Sequence, residues 1–311
     1  MHSYQIYLRI SRGGTGIPYE LSKQEFLTVF RDFSPTVQRD WWASRRTWVD
    51  MELPPEEIAS VAANLAYTEA ILHLQCEPYA GEEFNPTECG RWFTGWVREG
   101  EKKVLQTEIY VQDAEGLLAE SPDKRGFEVK QHGTTRLAVG HRSHRALSIL
   151  DARYLLNIAD PKPTDRILDP FAGYGGIVRE TKRRKLDVVA SDIDKSLSPG
   201  LAGLDPTIAS VADARDLPLP REHFDLIITE PPFRSVYRQA VLASLPELRR
   251  VLKPDGRIVL LIAMDMCEAV QSIFERMNAT VEIAGVIPRG GGLKCPALHI
   301  SFPRHQPSTG S

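Results

Sequence analysis

The chain has 311 residues, a net charge of −3 and a pI near 6.3. That length allows two domains, or one with a large extension. Residues 1–145 sum to −4 and residues 146–311 to +1, which excludes attachment to nucleic acid by bulk charge and leaves local basic patches or a partner subunit for that task. The four cysteines (Cys76, Cys89, Cys267, Cys295) lack the paired short spacing of a zinc site and are too few for a disulfide scaffold, so no metal is expected. No segment reaches the roughly 18 apolar residues of a membrane span, and the amino terminus has no signal-peptide core. A reduced, cytoplasmic protein without membrane contact is the expectation.

Residues 1–130 read as a separate α+β domain. Tyr4–Ile10 alternates as a strand does, and Ser22-Lys23-Gln24-Glu25 has the spacing of a capping box that would open a helix through Phe33. Thr47–Leu53 reads as a second strand. Pro54-Pro55-Glu56-Glu57 then starts a helix to about Ala66, with proline and acids in the first turn as the helix dipole favours. Val104–Val111 is a third strand, and the order suggests a small ferredoxin-like domain for RNA, substrate or partner binding. Its tryptophans (Trp41, Trp42, Trp48, Trp92, Trp96) fit core or interface packing better than a base-stacking surface.

Residues 131–160 form a basic connector and then a helix. Leu147, Leu150, Tyr154, Leu155 and Ile158 share one helical face, flanked by Arg136, His141, Arg142, His144, Arg145 and Arg153. The basic groups read either as a phosphate-facing strip or as a solvated face.

Residues 161–305 alternate strands with helices. Arg166–Leu168 runs into a glycine-rich turn and a helix to about Arg184; Asp187–Ser191, Ile208–Val211 and Phe224–Thr229 are further strands. Ser235–Leu252 is helical, Lys253-Pro254-Asp255-Gly256 reads as a turn into the strand Arg257–Ala263, and Cys267–Met277 as a helix. Thr280–Ile287 pairs with Ala297–Phe302 across Gly290-Gly291-Gly292, an antiparallel hairpin at one sheet edge. Residues 306–311 read as a disordered tail.

Four stations at strand ends carry the chemistry. Asp169-Pro170-Phe171-Ala172-Gly173-Tyr174-Gly175-Gly176 lets a bulky cofactor lie against the main chain and the next helix amino terminus. Asp192, in Ser191-Asp192-Ile193-Asp194, can accept both hydroxyls of a ribose while Ile193 covers an adenine face. Asp213 can accept an adenine amino group and the Ala214 amide can donate to a ring nitrogen, or Asp213 simply caps a turn. Glu230-Pro231-Pro232-Phe233 fits a flat acceptor bearing a conjugated amino group. A side-chain acceptor and a proline carbonyl aimed at its hydrogens would free the delocalised lone pair, the aromatic ring would stack, and positioning rather than a strong base would carry the rate.

These motifs, in this order between His141 and Ala263, resemble the class I S-adenosylmethionine-dependent methyltransferases, and within them the tRNA guanine-N2 methyltransferases of the THUMP-associated type. The resemblance implies a Rossmann-like, seven-stranded α/β sheet, S-adenosylmethionine as cofactor, and tRNA as partner. It places cofactor contacts at Asp169, Gly173, Gly175, Asp192 and Asp213, and the acceptor motif at Glu230, Pro231, Pro232 and Phe233. The family usually has Asp or Asn where this chain has Glu230, and Tyr where it has Phe233. DNA adenine-N6 or cytosine-N4 methylation uses the same motif on a flipped base; a protein glutamine amide, or a subunit that has lost catalysis, are the other readings.

Overall fold

The computed structural model describes residues 1–8, 11–12, 15–41, 45–62, 64–74, 94–99, 102–107, 109–113, 116–120, 147–204 and 209–303. The chain divides into two units, Met1–Thr134 and Thr135–Ser311.

In the first unit, strand β1 (His2–Leu8) is followed by helix α1 (Tyr19–Val29), β2 (Thr36–Trp41), β3 (Arg46–Met51), the short helix α2 (Ile58–Ala62) and β4 (Thr68–Leu74). The strands lie side by side as β4-β1-β3-β2, each neighbour antiparallel, which is the ferredoxin-like arrangement. Tyr4, Ile6 and Leu8 alternate onto one buried face and pack with Phe26 and Phe30 of the α1 segment and Ile58 and Ala62 of α2. Of these four strands, β2 and β4 are not among the three read from the sequence. Two-residue ladders at 11–12 and 15–16, and a hairpin of β5 (Thr94–Glu99) and β6 (Lys102–Thr107), form separate small sheets. Beyond β4 the main sheet continues with β7 (Ile109–Asp113), parallel to it, and β8 (Gly116–Glu120). The expected strand Val104–Val111 thus splits between two sheets.

The expected capping box is not one. Helix α1 begins at Tyr19 behind Pro18, so Ser22 lies inside it and its hydroxyl donates to the Pro18 carbonyl at 3.4 Å. Glu25 is wholly buried, and its carboxylate accepts from the amides of Ala66 (2.7 Å) and Tyr67 (3.0 Å). The acid caps a loop elsewhere in the fold rather than its own helix. The helix also ends before Phe33, at Val29, with a 3₁₀ turn over Arg31–Phe33. The second helix stops at Ala62 instead of Ala66, because the chain must turn there to deliver the amides that Glu25 binds. The Trp48 indole donates to Asp50 at 3.2 Å; the other four tryptophan side chains lie outside the description.

In the second unit, helix α3 (Ile149–Ala159) precedes β9 (Arg166–Asp169), α4 (Gly176–Arg183), β10 (Asp187–Asp192), α5 (Ser198–Leu204), β11 (Ala209–Val211), β12 (Phe224–Thr229), α6 (Arg238–Val251), β13 (Leu252–Leu261), α7 (Cys267–Arg276), β14 (Thr280–Pro288) and β15 (Lys294–Ser301). They form one seven-stranded sheet, β11-β10-β9-β12-β13-β15-β14, with β15 antiparallel to both neighbours. Covered central strands need no polar face, and Leu226–Thr229 is buried at every position. The order reverses between β9 and β12. Right-handed crossovers then put α4 and α6 on opposite faces and open a crevice at the carboxyl ends of those two strands. The segment 253–256, expected as a turn, belongs to β13, which has a register shift against β12. The expected hairpin forms, with β14 at the sheet edge. The segment 131–146 and the tail 306–311 lie outside the described residues.

Helix α3 is capped by the Ser148 hydroxyl, which accepts from the Asp151 amide at 3.1 Å. It buries Leu150, Tyr154 and Leu155, as its spacing predicts. Arg153, grouped with the basic strip by sequence, is instead 2% exposed and donates to Glu180 of α4 at 3.1 Å. Glu180 also binds Arg183 and Arg184. Burial pushes its carboxyl up, but Arg183 and the charges of Arg153 and Arg184 outweigh this and hold it down at about 2. For Arg184 burial prevails over the pairing and lowers it to about 10, so the cluster as a whole is worth less than the acid alone suggests.

Candidate active site

The crevice between β9 and β12 holds a cavity of about 650 Å³. The two strand ends are tied across it, since the Thr229 hydroxyl donates to Asp169 at 2.6 Å. Asp169 also accepts weakly from the Phe171 amide at 3.4 Å. It lines the cavity yet is 1% exposed, and burial, opposed by the Thr229 and Phe171 hydrogen bonds, pushes its carboxyl up to about 7.

After Asp169 the chain turns through Gly173 (φ 52°) and Gly175 (φ 76°), a left-handed backbone that other residues adopt only at a cost. A Cβ at Gly173 would meet nothing nearer than the Phe171 carbonyl at 3.9 Å, so its neighbourhood is open for a ligand to approach the main chain. Gly175 caps α4 without a side chain, and Gly176 and Ile177 line the cavity, so the first-turn amides of that helix stand at its wall. The turn is braced from β10. The Gly173 amide donates to Asp192 Oδ2 and the Asp194 amide to Oδ1, each at 2.9 Å. Each carboxylate oxygen has a second lone pair, so Asp192 can hold the turn and still accept from two hydroxyls.

On the other wall lie Glu230, Pro231, Pro232 and Phe233. Seven predicted residues therefore surround one space: Asp169, Phe171, Gly173 and these four. Pro170 is buried beneath, and Gly175 adjoins through the helix start. Asp192, which braces the turn from behind, is not part of the lining, nor are Ile193, Asp213 and Ala214. Ile193 is 61% exposed, Ala214 is buried, and Asp213 is bound to Arg215 of its own turn at 2.6 Å, which holds its carboxyl below the usual range.

Sequence reasoning missed Arg234, Tyr237, Arg289 and Leu293, which also line the cavity. Arg289, just past β14, donates through Nη2 to Glu230 Oε1; its Nε lies 3.5 Å from Asp151 Oδ2 of α3, and its guanidinium carbon 5.6 Å from the Phe233 ring centroid. Its place beside the glycine triplet hints at a shaped loop, but nothing local announces partners on two other elements.

The open glycine turn, the bare helix start and the bracing acid suit an adenosine cofactor carrying an amino-acid tail. The family model described as a methyltransferase domain matches residues 168–260. A tRNA (guanine(10)-N2)-dimethyltransferase from Methanothermobacter thermautotrophicus is 40% identical over 88 residues, 26% of this chain and 26% of that protein. The human U6 snRNA (guanine-N(2))-methyltransferase THUMPD2 is 34% identical over 122 residues, 36% of this chain and 24% of that protein. The matched stretches thus span about a quarter of the length of these relatives. The crystal structure of TrmN from Thermus thermophilus is similar with a TM-score of 0.52 at 16% identity, covering 97% of this chain and 100% of that one. The carboxy-terminal unit is a class I methyltransferase domain that takes S-adenosylmethionine as cofactor and resembles those of the tRNA guanine-N2 methyltransferases.

Proposed function

We propose that this protein transfers a methyl group to an exocyclic amino nitrogen of a nucleic-acid base, guanine N2 in an RNA such as tRNA. The observation that carries the reading is the single cavity bounded by the glycine turn after β9 and by Glu230-Pro231-Pro232-Phe233 after β12. S-adenosylmethionine held there would supply an electrophilic methyl group to the nitrogen lone pair, its sulfur leaving as the neutral thioether with the carbon–sulfur pair and the amino proton passing to solvent. Asp169, the glycine turn and Asp192 bind and orient the cofactor. Glu230 and a proline carbonyl accept the amino hydrogens and hold the nitrogen in line, while Phe233 stacks on the base. The names of the relatives from M. thermautotrophicus and human, both guanine-N2 enzymes on RNA, support the choice of acceptor. The amino-terminal unit and the basic segment 131–146 would supply RNA or partner contacts. Labelled S-adenosylmethionine incubated with RNA, DNA and protein extracts tests the reading: label is expected in RNA, and its absence there would refute the acceptor class.

The Glu230–Arg289 ion pair favours one other reading, a subunit that binds cofactor and RNA without turnover. Cofactor binding with no incorporation into any extract would select it.

A further inference from the structure

We propose that Arg289 is a positioning residue for methyl transfer: paired by charge with Asp151 but not hydrogen-bonded to it through Nε, it holds Glu230 turned toward the β14–β15 hairpin and balances its charge, so that a glutamate can serve at this corner. The inference rests on the methyltransferase reading above. Methyl transfer moves positive charge from sulfur toward the acceptor nitrogen. A carboxylate held beside the acceptor favours that movement, whereas one free to swing to the cofactor stabilises the starting state and slows the step. Glutamate reaches one methylene further than the family's usual acid and has one more torsion to fix, so it needs a tether.

The tether is built for the purpose. Asp151 is wholly buried and lies 3.5 Å from Arg289 Nε; Nη2 binds Glu230 Oε1. The same guanidinium lies 5.6 Å from the Phe233 ring centroid, within cation–π range, so one cation orients both the acid and the ring. Its main chain is pinned in turn. The Arg289 amide donates to the Leu293 carbonyl at 2.7 Å around Gly290–Gly292, where Gly291 and Gly292 have φ of 73° and 77°.

The test compares binding of two nucleosides by calorimetry, so it needs no acceptor. S-adenosylhomocysteine has a neutral sulfur, and sinefungin carries an amine, cationic when protonated, at the position of the transferred methyl. Arg289→Met removes the positive charge beside Glu230 and should raise affinity for sinefungin relative to S-adenosylhomocysteine about tenfold, the scale of one charge in a half-buried site. Adding Glu230→Gln should return the ratio to about its wild-type value. Glu230→Gln alone removes one negative charge, leaving Arg289 balanced by Asp151, and should lower the ratio several-fold, an arm that remains if Arg289→Met does not fold. A purely structural role would change both affinities together. An unchanged ratio in either single variant, or a change in Arg289→Met that Glu230→Gln does not reverse, overturns the proposal. Failure of both nucleosides to bind wild-type protein would instead refute the cofactor site, and a wrong acceptor class would leave the binding ratios readable.

Discussion

Replacing Glu180 by Gln tests whether the α3–α4 seam carries the cofactor domain. The substitution keeps the shape and removes the charge that holds Arg153, which is 2% exposed and cannot reach water. A carboxyl held at about 2 rather than 4.5 contributes about 3 kcal/mol to folding at neutral pH. Removing one partner of a buried ion pair costs about 3–5 kcal/mol by an independent route. The partly exposed Arg183 can turn outward, so about 3 kcal/mol is the expected loss, a fall of roughly 6–12 °C in the Tm of a unit this size. The sign with pH is fixed. Because the folded carboxyl lies below the unfolded one, its contribution is complete above pH 4.5 and is lost as pH falls toward about 2. Wild type and Glu180→Gln should therefore converge in acid. Thermal and urea unfolding at pH 7 and pH 3 measures this; a difference under about 1 kcal/mol at pH 7, or one that does not shrink in acid, would show that Arg153 has another means of support.

Asp169, raised to about 7, should ionise when the cationic cofactor binds, so S-adenosylmethionine affinity should rise about tenfold from pH 6 to pH 8, with proton release seen by calorimetry in two buffers; Asp169→Asn should flatten the profile. In the apo protein the same group should lower stability as pH rises from about 4 to about 7, because the fold then holds a proton that the unfolded chain gives up. Glu25→Ala strands the buried amides of Ala66 and Tyr67 and should cost the amino-terminal unit about 2–4 kcal/mol, read by hydrogen exchange at those amides, with cofactor affinity unchanged. Asp192→Ala removes two backbone contacts as well as the ribose acceptor and should weaken cofactor binding about 10–100-fold. Glu230→Ala should weaken binding of the cationic cofactor only several-fold and lower turnover about 100-fold; equal losses of binding in both would contradict the division of labour.

The cofactor domain was legible because its strands end in punctuation. Gly173 and Gly175 need positive φ, and Pro231-Pro232 stops β12, so both corners appear in the sequence as local necessity. What sequence could not supply were partners distant along the chain. Ser22 and Glu25 have the spacing of a helix cap, yet a spacing does not say which amides the acid will find. Arg153 lies next to apolar helix positions, and periodicity cannot separate a seam charge from a solvated one. Arg289 escaped for the same reason, being 59 residues from Glu230.

Helix α3 meets the last hairpin twice, through Asp151 to Arg289 and through the Tyr154 hydroxyl to the Ala284 carbonyl at 3.0 Å, a contact 130 residues apart in sequence. On a ribosome adding about 5–20 residues per second, the helix would wait roughly 6–26 s for that segment. The glycine turn can form early, but the acceptor wall stays unfinished until β14 and β15 have emerged and inserted. A nascent chain could thus brace the glycine turn on Asp192 well before the Glu230–Arg289 pair closes the opposite wall.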